Sequence, residues 1–142
     1  MMNYQKIQDT YVVRLDRGEE IMTKLTELAE EEGIRLATVY GLGAVTDVEM
    51  GFYDVTKKQY YANTFSEDYE VLHLNGNVTT KDGAPYLHVH LTIADSAGRT
   101  FGGHLNKATI AVTGEIFVRV LEGTVARKMD ETIGINLMEF VE

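Results

Sequence analysis

Three of the chain's four histidines fall within seventeen residues, at His88, His90 and His104 in the stretch YLHVHLTIADSAGRTFGGHL. Neutral imidazole nitrogens bind transition metals at about 2.0–2.1 Å, and three protein ligands leave a fourth position for water or substrate. Zinc is the first expectation, with nickel and iron open because imidazole suits several metals. Two plainer roles compete: polar residues on the wet face of a half-exposed sheet, or a metal-free cluster titrating near neutrality as a proton relay.

The choice depends on whether the chain brings the three rings together. Leu87, Val89, Leu91 and Ile93 alternate with His88, His90, Thr92 and Ala94, the period-2 pattern of a strand. The following Asp95-Ser96-Ala97-Gly98-Arg99 reads as a turn, with Gly98 in the left-handed conformation that glycine enters at little steric cost. If Asp95 faces Arg99, Thr92 faces Gly102 and His90 faces His104, with Cβ atoms roughly 4.5–5.5 Å apart. His88 shares the face of His90, about 6.6 Å along the strand. Gly102 and Gly103 leave room beside His104, although a bulge there would spoil the facing pair. Metal ligation by His88, His90 and His104 is the sharpest reading.

The elements around this hairpin are legible by pattern. Tyr11–Leu15 reads as a strand, and Asp16 with Glu19 resembles a capping pair opening a helix from about Gly18 to Glu32. Ile21, Met22, Leu25, Leu28 and Ala29 form its apolar stripe, and Gly33 closes it. Residues 35–40 and 48–52 read as strands on either side of Gly41-Leu42-Gly43. That triplet lacks the further glycine and context of a nucleotide loop and fits a bulge or bend. Gln59–Phe65 and Tyr69–Thr79 are further strands, the latter with Leu72, Leu74 and Val78 expected on one face and His73 on the other. After the hairpin, residues 106–109 read as irregular, 110–121 as a long strand that is central or buried at a subunit contact, 125–132 as a polar connector, and 135–141 as a last strand.

One helix and seven or eight strands predict a single α+β domain over residues 1–142, with a largely antiparallel β-sheet and one main flanking helix. The sheet has more apolar face than one helix can cover, which predicts an oligomer.

Composition excludes several classes. There is no cysteine, hence no disulfide framework, thiolate site or cysteine nucleophile. No signal-like start or membrane-length apolar run is present, so a cytoplasmic protein is expected. Thirteen Lys and Arg against 22 Asp and Glu give a net charge of −9, and the basic residues are scattered. Direct DNA binding, which draws on clustered cations, is disfavoured. The catalytic residues of any enzyme stay unassigned: Glu115, Tyr86 and His73 are the candidate acid–base groups, and the pattern places none of them.

These residues carry a family resemblance. The chain resembles the plants-and-prokaryotes conserved (PPC) domain in its short prokaryotic form. The matching stretches are Arg14–Glu19, Gly41–Val45, Glu70–Gly76, Leu87–Leu91, Asp95–Arg99, Gly102–Leu105 and Arg127–Leu137, with His73 standing where a small residue is more usual. The resemblance implies an antiparallel sheet with a flanking helix, assembled as a homotrimer, and a metal, generally zinc, on histidines like those at 88, 90 and 104. Plant relatives join the domain to AT-hooks, the source of the family's DNA-binding label. This chain has no Arg-Gly-Arg-Pro hook, so the resemblance implies an interaction module. A zinc enzyme using a water bound to the ion on the three histidines is the alternative, and direct DNA binding a second.

Overall fold

The computed structural model describes residues 2–141. In chain order its elements are β1 (Asn3–Ile7), β2 (Thr10–Asp16), α1 (Ile21–Glu31), β3 (Ala37–Asp54), β4 (Gln59–Phe65), β5 (Tyr69–Lys81), β6 (Ala84–Ala94), β7 (Thr100–Val120), β8 (Ala126–Asp130) and β9 (Ile135–Glu139). The expected strand-rich fold with one helix is present. The sheet is mixed, since β5 and β8 meet in parallel at Thr80 and Ala126 while the other paired strands run antiparallel.

The long strand β7 is central, as its two-sided apolar pattern predicts: it pairs with β2, β3 and β6. Strand β6 also pairs with β5, and β5 with β3, so β3, β5, β6 and β7 form a closed hydrogen-bonded circuit. Val89, Leu91 and Ile93 of β6, with Leu105, Ile110 and Ile116 of β7, face the core. Helix α1 packs on these two strands through Ile21, Leu25, Leu28 and Ala29.

The helix is shorter than expected and capped differently. Glu20, not Asp16, is the N-cap, and its carboxylate accepts from the N–H groups of Met22 and Thr23 at 2.9 Å. The same carboxylate accepts from Ala108 N–H at 3.0 Å and so ties the helix start to β7. Glu19 does reach back to the Asp16 N–H, at 2.8 Å, but this closes the turn before the helix.

Other departures follow from bulges and from pairing partners distant in the chain. Residues 37–40 and 48–52 belong to one bent strand, β3, which starts two residues later than expected and has a register shift between Gly41 and Gly43. A Cβ on Gly41 would lie 2.5 Å from the Glu115 carbonyl oxygen, which explains the glycine as a close approach of backbones. Residues 106–109 lie within β7 and pair irregularly with β3. A bulge between Val71 and His73 inverts the facing there, so that Val71 is buried and Leu72 is exposed. The 125–132 connector contains β8, which forms a hairpin with β9, and β1 is a strand that the pattern does not flag. Among the described residues, no helix is long and apolar enough to cross a membrane.

Candidate metal centre

The 96–98 loop sets the histidine register. Gly98 takes φ +80° and its N–H donates to the Asp95 carbonyl at 2.9 Å. One Asp95 carboxylate oxygen accepts from the N–H groups of Ala97 and Arg99, and the other from Arg99 Nε at 2.7 Å. Across this loop Thr92 pairs with Gly102 and His90 with His104, as expected.

Because Val89, Leu91 and Leu105 point into the core, His88, His90 and His104 stand on the opposite face. One ring nitrogen from each lies within 4.8 Å of the other two. The ring centroids are 4.9, 5.1 and 5.7 Å apart, and the Nε2 atoms of His88 and His90 are separated by 3.1 Å. Two nitrogens on a tetrahedral ion at about 2.0–2.1 Å would lie roughly 3.3–3.4 Å apart, so the His88–His90 pair is near that spacing while the set as a whole spans up to 4.8 Å.

Burial and neighbouring charge keep His88 and His104 in their ligating form. Burial, then the neighbouring His104, His90 and Arg127, push the His88 imidazolium pKa down to about 4. Burial and His90 likewise lower His104. Near pH 7 both rings are neutral with nitrogen lone pairs available, as metal ligation needs.

A cavity of about 610 Å³ opens over the rings. On one side lie Gly51, Phe52, Tyr53 and Tyr60, the tyrosine stacking its ring edge-on at 5.8 Å from that of His104. Tyr60 Oη donates to Asn106 Oδ1 at 2.9 Å and lies 3.2 Å from the His104 carbonyl oxygen. The opposite side is the β8–β9 hairpin, with Arg127, Ile135 and Asn136 in the lining. Tyr53 Oη donates to the Ile133 carbonyl at 2.7 Å and Lys58 Nζ to that of Glu131 at 2.9 Å, fastening the hairpin over this face.

Of the candidate acid–base residues, only Tyr86 joins the site, where its ring lies 5.1 Å from the Arg127 guanidinium carbon. His73 is exposed on β5 outside the cluster. Glu115 lines a separate groove with Tyr4, Arg14 and Phe117. Among the described residues, no Asp or Glu lines the cavity over the histidines. Sequence reasoning missed Arg127, Asn136 and Tyr60; the available signal was that Arg127 and Asn136 lie in a stretch resembling the family, and their place at the site needs the hairpin to be positioned.

Residues 2–122 match the family model of the Plants and Prokaryotes Conserved (PCC) domain. The chain belongs to that family. The PPC resemblance read from the motifs and the family match therefore agree. Among solved structures of PCC-like chains, a metal-containing protein from Archaeoglobus fulgidus is 34% identical, with a TM-score of 0.88 over 99% of this chain and 100% of the other. A Pyrococcus horikoshii PPC protein is 30% identical, with a TM-score of 0.85 over 100% and 96% of the two chains. A Bacteroides thetaiotaomicron protein with a provisional DNA-binding name is 30% identical, with a TM-score of 0.96 over 99% and 98%. Two Synechococcus proteins named bifunctional protein GlmU are each 31% identical, over 72% and 87% of this chain. The chain spans 15% and 19% of those relatives' lengths.

Proposed function

We propose that this PCC chain is a metal-binding interaction module in which His88, His90 and His104 hold a transition ion, zinc first, at the floor of an open cavity. The carrying observation is the convergence of three ring nitrogens within 4.8 Å on one rigid strand pair. The metal-containing character of the Archaeoglobus fulgidus relative supports it. An ion held by three imidazoles keeps one position for water or a ligand, where it acts as a Lewis acid. His88, His90 and His104 would orient it, and the β8–β9 hairpin would form part of the cavity wall beside it.

Hydrolysis ranks below binding because the described lining of the cavity offers no carboxylate as general base. DNA binding ranks lower again, with 22 acidic against 13 basic residues. Assembly as a homotrimer is part of the proposal. Its support is the exposed apolar face of the central strands, where Tyr40, Leu42, Leu72 and Val112 are each more than half exposed.

The test is X-ray absorption at the metal edge of zinc-loaded protein, alongside molar mass by light scattering. The reading expects an imidazole scattering pattern at about 2.0–2.1 Å and three times the chain mass of 15.9 kDa. An all-oxygen shell overturns the metal assignment, and a monomer overturns the trimer.

A further inference from the structure

We propose that the cavity over the histidines is a binding site for a small aromatic carboxylate, held by Arg127 through the carboxylate. Among the described residues, Arg127 is the one Lys or Arg in the lining, and no Asp or Glu accompanies it there. Its Nε donates to Thr79 Oγ1 at 2.9 Å, Nη2 to Asn77 Oδ1 at 3.0 Å and Nη1 to the Asn136 carbonyl at 3.4 Å. All three acceptors are neutral. Arginine has five N–H donors, so donors remain, and among the described residues no carboxylate pairs with this charge. A half-buried guanidinium with no carboxylate partner, packed against the Tyr86 ring, can receive a ligand oxyanion through its remaining donors.

The walls suit an aromatic side group: Phe52 is 66% exposed, and Tyr53, Tyr60 and Tyr86 also line the space. A volume of about 610 Å³ holds a molecule of that size. The proposal rests on the metal reading for one added contact only, since an ion on the histidines would accept the same carboxylate at its fourth position.

The test titrates 3-phenyllactate into the zinc-loaded and the metal-stripped full chain, with metal content measured in each. Binding is followed by calorimetry and by amide shifts in 1H–15N spectra. Phenyllactate is expected to bind both forms, more tightly with zinc, and to shift Tyr86, Arg127 and Asn136. Its methyl ester should bind at least tenfold more weakly. Arg127→Gln should weaken binding tenfold or more and Arg127→Lys recover part of it. Should Arg127→Gln not fold, the comparison of acid and ester on the wild-type chain decides the matter. Absence of phenyllactate binding in both forms, or equal binding of acid and ester, overturns the proposal. A chain that takes up no zinc yet binds phenyllactate through Arg127 upholds the anion site and overturns the metal reading alone.

Discussion

His90 and His104 are directly opposed across the antiparallel β6–β7 pair. Their opposition is a consequence of loop geometry, because a three-residue turn closed by Gly98 leaves only one pairing for the strands that flank it. His88 joins from the same face of β6, with its ring centroid 5.1 Å from that of His104. The cluster is thus held by backbone pairing, before any ion adds its own bonds.

The Asp95 carboxylate is the device that fixes this turn. It is 5% exposed and holds two N–H groups and the Arg99 Nε. Replacing Asp95 with Ala should lower stability, since several hydrogen bonds to a charged group are lost together. It should also loosen metal binding by releasing the register. Urea unfolding combined with zinc titration checks both, and unchanged zinc affinity would show that the loop does not control the site.

Acid should destabilise the metal-free protein through His88. The ring's pKa is about 4 in the folded chain, driven down by burial and then by His104, His90 and Arg127, against an ordinary value of 6.5. Between these values the unfolded chain binds the proton and the folded chain refuses it. The contribution is therefore fully present above pH 6.5 and is lost as pH falls through about 4. The melting temperature should drop across that window in the metal-free wild type and drop less in His88→Gln. Parallel profiles for the two would contradict the assignment.

Gly103 is where β7 lies closest to β3 beside the cluster. A Cβ there would sit 2.7 Å from the Gly51 carbonyl oxygen, a backbone atom that cannot swing aside. Gly103→Ala should cost about 1–3 kcal/mol, the usual range for forced overpacking. It should also displace the neighbouring His104. Denaturant midpoints measure the first effect; a wild-type midpoint would mean that the strands separate freely at this point.

The histidine hairpin was legible in the sequence because every determinant is local: alternation from Leu87 to Ala94, a turn with Gly98, and glycines before His104. The stripe of α1 was legible for the same reason. What was not legible depends on contacts between distant residues. Glu20 outcompetes Asp16 as the N-cap because it also receives the Ala108 N–H from β7, 88 positions away. Leu72 reverses its facing at a bulge, and bulges leave no period-2 signature. The cavity wall was hidden altogether. Arg127 and Asn136 reach the histidine face through the β8–β9 hairpin, which Tyr53 and Lys58 fasten and which also joins β5 at Thr80, while Glu115, a candidate on sequence grounds, lines another groove.

Metal content per chain is the most direct test of the central claim. Elemental analysis of untagged protein, with His104→Ala and His73→Ala prepared in parallel, should find close to one transition ion per chain in the wild type and in His73→Ala. His104→Ala should lose nearly all of it while remaining folded. Metal retained in folded His104→Ala, or wild-type protein that takes up none when zinc is supplied, would contradict the site on His88, His90 and His104.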